Sequence, residues 1–108
     1  VGKNRVPVLA TTTTAGLEDA RNIARRLVET KLAACVQIVE PIISVYRWQG
    51  KIEEEGEVLL LIKSKQDLIS RIAELLDEIH PYDVPELIAT PIVEGSASYL
   101  SWLEDNVQ

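Results

Sequence analysis

The run VLLLI at Val58–Ile62 constrains this chain more than any other stretch. It lies in a segment that reads as a strand, and strand side chains alternate between two faces. Consecutive apolar residues therefore make both faces of this strand apolar. The helices that the rest of the chain can supply suffice for one face only. The simplest inference is that another subunit covers the second.

Hydrophobic period defines the elements around that strand. Val6–Thr13 is β-branched and uncharged, which reads as a buried strand. After Gly16 the period changes: Leu17, Ala20, Ala24, Leu27 and Val28 recur at helical spacing within a stretch that runs to Leu32. Glu18 and Asp19 stand near the start of this helix, and Arg25, Arg26 and Lys31 near its end, as the helix dipole favours. Ala34–Trp48 and Lys51–Lys63 read as two long strands around a Gln49-Gly50 hairpin turn. Pro41 marks an edge or bulge in the first arm, with Gly56 as its expected counterpart in the second. The tip should project beyond the sheet. A second helix, capped by Ser64 or Asp67, carries Leu68, Ile72, Leu75, Leu76 and Ile79 on one stripe and ends at His80, before Pro81. ELIATPIV, from Glu86 to Val93, reads as a short strand, and a last helix starting at Ser96 or Ser98 completes the chain. The order β-α-β-β-α-β plus a C-terminal helix predicts the split β-α-β, ferredoxin-like arrangement of the α+β class. It forms a single domain over residues 1–108, with an antiparallel sheet and helices on one face.

Composition removes several functions. The net charge of −6 argues against binding nucleic acid through its phosphates. No apolar run approaches the ~20 residues of a membrane span. The single cysteine cannot form an internal disulfide, which fits a reducing, cytoplasmic location. The chain starts at Val1 and holds no methionine, so trimmed initiator residues are expected, and a trimmed start leaves room for a targeting segment.

The only histidine, His80, opens HPYDVPELIATPI, a stretch with three prolines. Imidazole is a common ligand for copper and zinc. A histidine at a helix C-terminus also stabilises that end, and a Pro-rich stretch serves as a stiff connector into a strand. The connector role is expected to come first. Cys35 in AACV reads as a small buried apolar residue or as a soft ligand for Cu(I). No paired His or Cys motif supports either residue as a metal ligand within one chain, although copies from several chains could converge. Glu53, Glu54, Glu55 and Glu57 read as a solvated edge or as a weak divalent-cation site.

KLAACVQIV (31–39), SVYRWQGKIEEEGE (44–57), LLIKS (60–64), HPYDVPEL (80–87) and YLSWL (99–103) together resemble the CutA family of divalent-cation tolerance proteins, over nearly the whole chain. The resemblance implies a homotrimer in which hairpin arms pair with neighbouring subunits. It also implies a role in tolerance or homeostasis of copper and other divalent metals. No cofactor is required; copper is the possible bound ion, with His80 and Cys35 as candidate ligands. Tyr46, Trp48, Lys63, Tyr82 and Glu86 complete the family's motif set. With Glu57 and His80 they would line a polar cleft between subunits, Trp48 acting as an anchor and Lys63 pairing with Glu57 or Glu86 or holding an anion. Some relatives carry a cysteine where this chain has Ala10, and a second histidine where it has Ile79. Only His80 of that copper-associated group remains here.

The expected function is a non-enzymatic trimer that binds a metal ion or a small ligand in inter-subunit clefts. The alternative is a trimeric scaffold that anchors a partner protein. An acylphosphatase-like enzyme would need a glycine-rich phosphate loop with an arginine, and an RNA-binding module would need aromatics on its central strands. Neither feature is present in the sequence.

Overall fold

The computed structural model describes residues 5–108, so the expected trimming at Val1 lies outside the described residues. The elements follow the expected order: β1 Pro7–Thr14, α1 Leu17–Glu29, β2 Cys35–Trp48, β3 Lys51–Lys65, α2 Ile69–Ile79, β4 Ile88–Pro91 and α3 Ala97–Asp105. The strands form one antiparallel sheet in the order β2-β3-β1-β4, the ferredoxin-like order.

Register explains which face is packed. Val8, Ala10, Thr12 and Thr14 of β1 stand opposite Ser64, Ile62, Leu60 and Val58 of β3. All of them are buried. Ile23 and Leu27 of α1 and Ile72 and Leu76 of α2 complete this core. On the other face Leu9, Leu59 and Leu61 are only half-buried. Val39 and Ile88 share that face and are exposed. The run VLLLI is thus apolar on both faces, and α1 and α2 cover one.

The helix α3 lies across one end of the open face. Its Glu104 ion-pairs with Lys65 and, at 3.1 Å, with Arg5. The Lys65 ammonium, with Arg5 beyond it, holds the Glu104 carboxyl below the ordinary carboxylate range. Ser96 caps this helix by accepting from the Tyr99 N–H, one of the two expected starts.

The hairpin turn takes the conformation its residues favour: φ is 50° at Gln49 and 82° at Gly50, as a type I′ turn requires. At the end of α1 the chain reverses through Lys31 in the left-handed region, and the amides of Lys31 and Leu32 close onto Val28 and Leu27. The helix therefore stops at Glu29 rather than reaching Leu32. Val28 is exposed, and Ile23 takes its place in the core.

Three further expectations are corrected. Neither Ser64 nor Asp67 caps α2. Ser64 belongs to β3, where its buried hydroxyl donates to the Leu32 carbonyl at 2.5 Å. Asp67 sits in a 3-10 turn, Gln66–Leu68, and accepts from Arg5. Gly56 pairs regularly with Ile43 and is no irregularity. The fourth strand is Ile88–Pro91, shorter at both ends than Glu86–Val93; Glu86 lies before it and accepts from the Thr11 hydroxyl.

Candidate functional site

The β2–β3 hairpin continues far past the packed sheet. The chain measures 45 × 26 × 22 Å, with a radius of gyration of 14.5 Å, against about 13 Å for a compact chain of this length. At its root β2 carries a bulge. Val39 stands opposite Leu59 but Ile42 stands opposite Glu57, so three steps on β2 match two on β3. The extra residue, at Glu40-Pro41, reverses the alternation of β2. Before the bulge the odd-numbered residues share the open face. After it Ser44, Tyr46 and Trp48 do, on the same side as Glu53, Glu55 and Glu57.

The segment 80–87 meets that side. Pro81 disfavours helical geometry at His80, which ends α2 in extended conformation at φ −78°, ψ 135°. His80 is only 8% exposed. Its Nδ1 accepts from the Tyr82 N–H at 3.0 Å and its Nε2 lies 2.7 Å from the Thr13 carbonyl oxygen. An acceptor at Nδ1 requires the proton on Nε2, which then donates to Thr13. The Tyr82 ring leans on the imidazole, with centroids 4.8 Å apart. This arrangement points Tyr82 toward β3, where its hydroxyl donates to Glu57 Oε2 at 2.6 Å. Glu86 reaches β1 and accepts from the Thr11 hydroxyl at 2.9 Å.

Between the loop and the hairpin lies a cleft of about 600 Å³. Tyr46, Trp48, Glu57, Tyr82 and Glu86 line it, together with Thr13, Ser44, Glu55 and Asp83. Tyr46 donates to Glu55 at 2.6 Å, repeating the Tyr82–Glu57 pattern across the cleft. Its phenol is pushed up to about 12 by the Glu55 hydrogen bond and neighbouring carboxylates. Burial and the Glu57 carboxylate raise Tyr82 further. Both phenols are therefore neutral donors near neutral pH, and the glutamates are acceptors.

Of the residues expected together, Lys63 stands apart. It hydrogen-bonds Gln37 at 2.5 Å. Glu57 and Lys63 lie on one strand, six residues apart, which is about 20 Å. They share a face and are too far apart to pair within one chain. Cys35 is also remote from His80. It sits opposite Lys63 and beside Tyr99, whose phenol is raised by burial and by the thiol. Ala10 is fully buried beneath the helices. Glu55, Ser44 and Thr13 were not expected in the cleft. The diagonal from Tyr46 to Glu55, set by the Gln49-Gly50 turn, is the signal that could have found Glu55.

A metal centre does not fit one chain. Both His80 nitrogens are engaged within the protein, Cys35 lies at the other end of the sheet, and the described residues bring no three His, Cys, Asp or Glu side chains to a common point.

The profile of the family described as "CutA1 divalent ion tolerance protein" matches residues 8–106. The divalent-cation tolerance protein CutA of Thermus thermophilus is 49% identical over 89 residues, which are 82% of this chain and 86% of that protein. The chloroplastic CutA of Arabidopsis thaliana is 46% identical over 91 residues, 84% of this chain. The chain spans about half the length of that relative, 50%. Among solved structures, the Cut A1 protein of Thermus thermophilus superposes with a TM-score of 0.92 at 44% identity, covering 94% of this chain and 99% of that one. A CutA from Archaeoglobus fulgidus described as periplasmic gives 0.90 at 35% identity over 94% and 99% of the two chains. Relatives thus carry chloroplastic and periplasmic designations. Among the described residues no helix is long and apolar enough to cross a membrane.

Proposed function

The chain belongs to the CutA1 divalent ion tolerance family, and from that premise we propose that it acts as a non-enzymatic homotrimer that holds a ligand in the clefts at its hairpin roots. Metal tolerance would follow from that binding, in the cytoplasm. The observation that carries the assembly is the uncovered apolar surface. Leu9, Leu59, Leu61 and Val39 lie on the open sheet face, and on the reverse of the hairpin Ile43, Val45 and Ile52 are 63–72% exposed. Further copies of the chain would cover both. The cleft supports the ligand role: it is concave, aromatic, and lined by convergent polar groups. The engagement of both His80 nitrogens by the backbone supports a non-enzymatic reading, since the one imidazole is not free to act as a base. Any copper site would draw ligands from more than one chain.

The scaffold reading rests on the same exposed surface, with a partner protein using part of it. Growth at elevated Cu(II) separates the two. Cells lacking this gene would be complemented with wild type, Tyr82→Phe or Trp48→Leu. The cleft reading expects both variants to fail while the trimer mass is kept. The scaffold reading expects both to complement.

A further inference from the structure

We propose that His80 serves this cleft as a positioning residue: its imidazole takes the place of an asparagine in a side-chain turn and so sets Tyr82 in the cleft wall. The inference rests on the cleft reading above and deepens it, by naming what holds the loop wall in place.

The turn itself carries the argument. His80 is extended, at φ −78° and ψ 135°, and Pro81 follows it. Its Nδ1 accepts from the N–H of Tyr82, two residues on, at 3.0 Å. An Asn or Asp side chain makes this same bond when it starts a turn, and Asn-Pro is a favoured pair at such places. An Asn side chain would satisfy the turn and reach no further. The imidazole is longer, and its second nitrogen lies 2.7 Å from the Thr13 carbonyl oxygen on β1. One planar ring thus spans the loop and the sheet.

The contacts continue from the ring into the cleft. Tyr82 stands against the imidazole, with 4.8 Å between centroids, and its hydroxyl donates to Glu57 on β3 at 2.6 Å. Thr13, Tyr82 and Glu57 line the cleft, and His80 lies behind them, 8% exposed. His80 therefore acts on the cleft through Tyr82. All of these contacts lie within one chain, so they hold whatever covers the cleft. The two ring nitrogens have separate roles. The Thr13 bond fixes His80 itself, and the Nδ1 bond fixes Tyr82.

His80→Asn and His80→Ala separate these roles in the intact protein, each checked for trimer mass. Asn restores the acceptor for the Tyr82 N–H but is too short to reach Thr13, and Ala restores neither bond. Hydrogen exchange of the Tyr82 amide, followed by NMR, should stay close to the wild-type rate in His80→Asn. In His80→Ala it should be roughly tenfold faster or more, as loss of one hydrogen bond implies. Both variants lose the Thr13 bond and should be destabilised alike. In the Cu(II) growth assay above, His80→Asn should complement and His80→Ala should fail. A purely structural histidine would not produce that difference between variants of similar stability. Failure of His80→Asn to complement would mean that the imidazole itself is required, and would overturn the proposal. Complementation by His80→Ala would overturn it too. If Tyr82→Phe and Trp48→Leu still fail in that case, the cleft reading stands and the positioning role falls alone. If they complement as well, the cleft reading falls with it. Should neither His80 variant fold, nitrogen NMR of the wild-type ring decides: the proton belongs on Nε2, and a proton on Nδ1 would overturn the proposal.

Discussion

The Tyr82 hydroxyl and the Glu57 carboxylate meet at 2.6 Å, joining the loop after α2 to the root of the hairpin. One hydrogen bond thus ties the loop wall of the cleft to its strand wall. Tyr82→Phe removes the donor and leaves the ring against His80. The expected cost is about 1–2 kcal/mol, since a hydrogen bond to a charged group is involved but Tyr82 is half-buried. Urea unfolding checks it, and a change below about 0.3 kcal/mol would show that the bond adds nothing to folding.

The three tyrosines give a pH prediction. All are raised above the ordinary phenol value of about 10, Tyr46 to about 12, chiefly by its bond to Glu55. A group whose folded value is raised contributes stability that is complete below its unfolded value and lost as pH rises toward the folded one. Stability should therefore fall above pH ~10. Phenolate absorbance of the folded protein should stay flat through pH 10, where the unfolded chain already ionises. Ionisation of the native protein at the ordinary value would contradict the two carboxylate-bound phenols.

His80→Ala leaves the Thr13 carbonyl and the Tyr82 N–H without their partner in a buried place. It should destabilise by about 2–3 kcal/mol. Copper binding should be weaker than nanomolar in the wild type, since no free ring nitrogen is presented. Calorimetric titration of wild type, His80→Ala and Cys35→Ser checks this. Nanomolar affinity, ~12 kcal/mol, that disappears in His80→Ala would make the imidazole a true metal ligand.

Trp48 is 42% exposed beside the hairpin turn of a single chain. As an anchor in a neighbouring copy it would be buried on assembly. Trp48→Ala should then cost about 3 kcal/mol per copy, and melting should depend more steeply on protein concentration. An unchanged melting temperature would exclude the anchor role.

Most of the fold was legible because each local signal agreed with the others. The helix period after Gly16, the Gln49-Gly50 turn and the Pro81 stop each lie where the backbone needs them. Ser64 was misread because a serine before a helical stretch suits a cap equally well. Only the tertiary contact with Leu32 shows that it is a buried strand residue. Pro41 announced a break, but not that the break would turn Ser44, Tyr46 and Trp48 toward Glu57. That depends on counting residues on both strands, and a shift of one inverts every side chain. Lys63 entered the expected inter-subunit cleft with the family's motif set; within one chain, register keeps it at the far end of its strand beside Gln37. Glu55 was hidden among its neighbours because a run of acids reads as a solvated face until the register selects one of them.

The central claim is that the open sheet face and the bare hairpin are completed by copies of the same chain. Light scattering of the intact protein at low micromolar concentration measures this most directly. The account predicts a mass three times the 12.0 kDa of the chain. A stable species of 12.0 kDa under native conditions would contradict it.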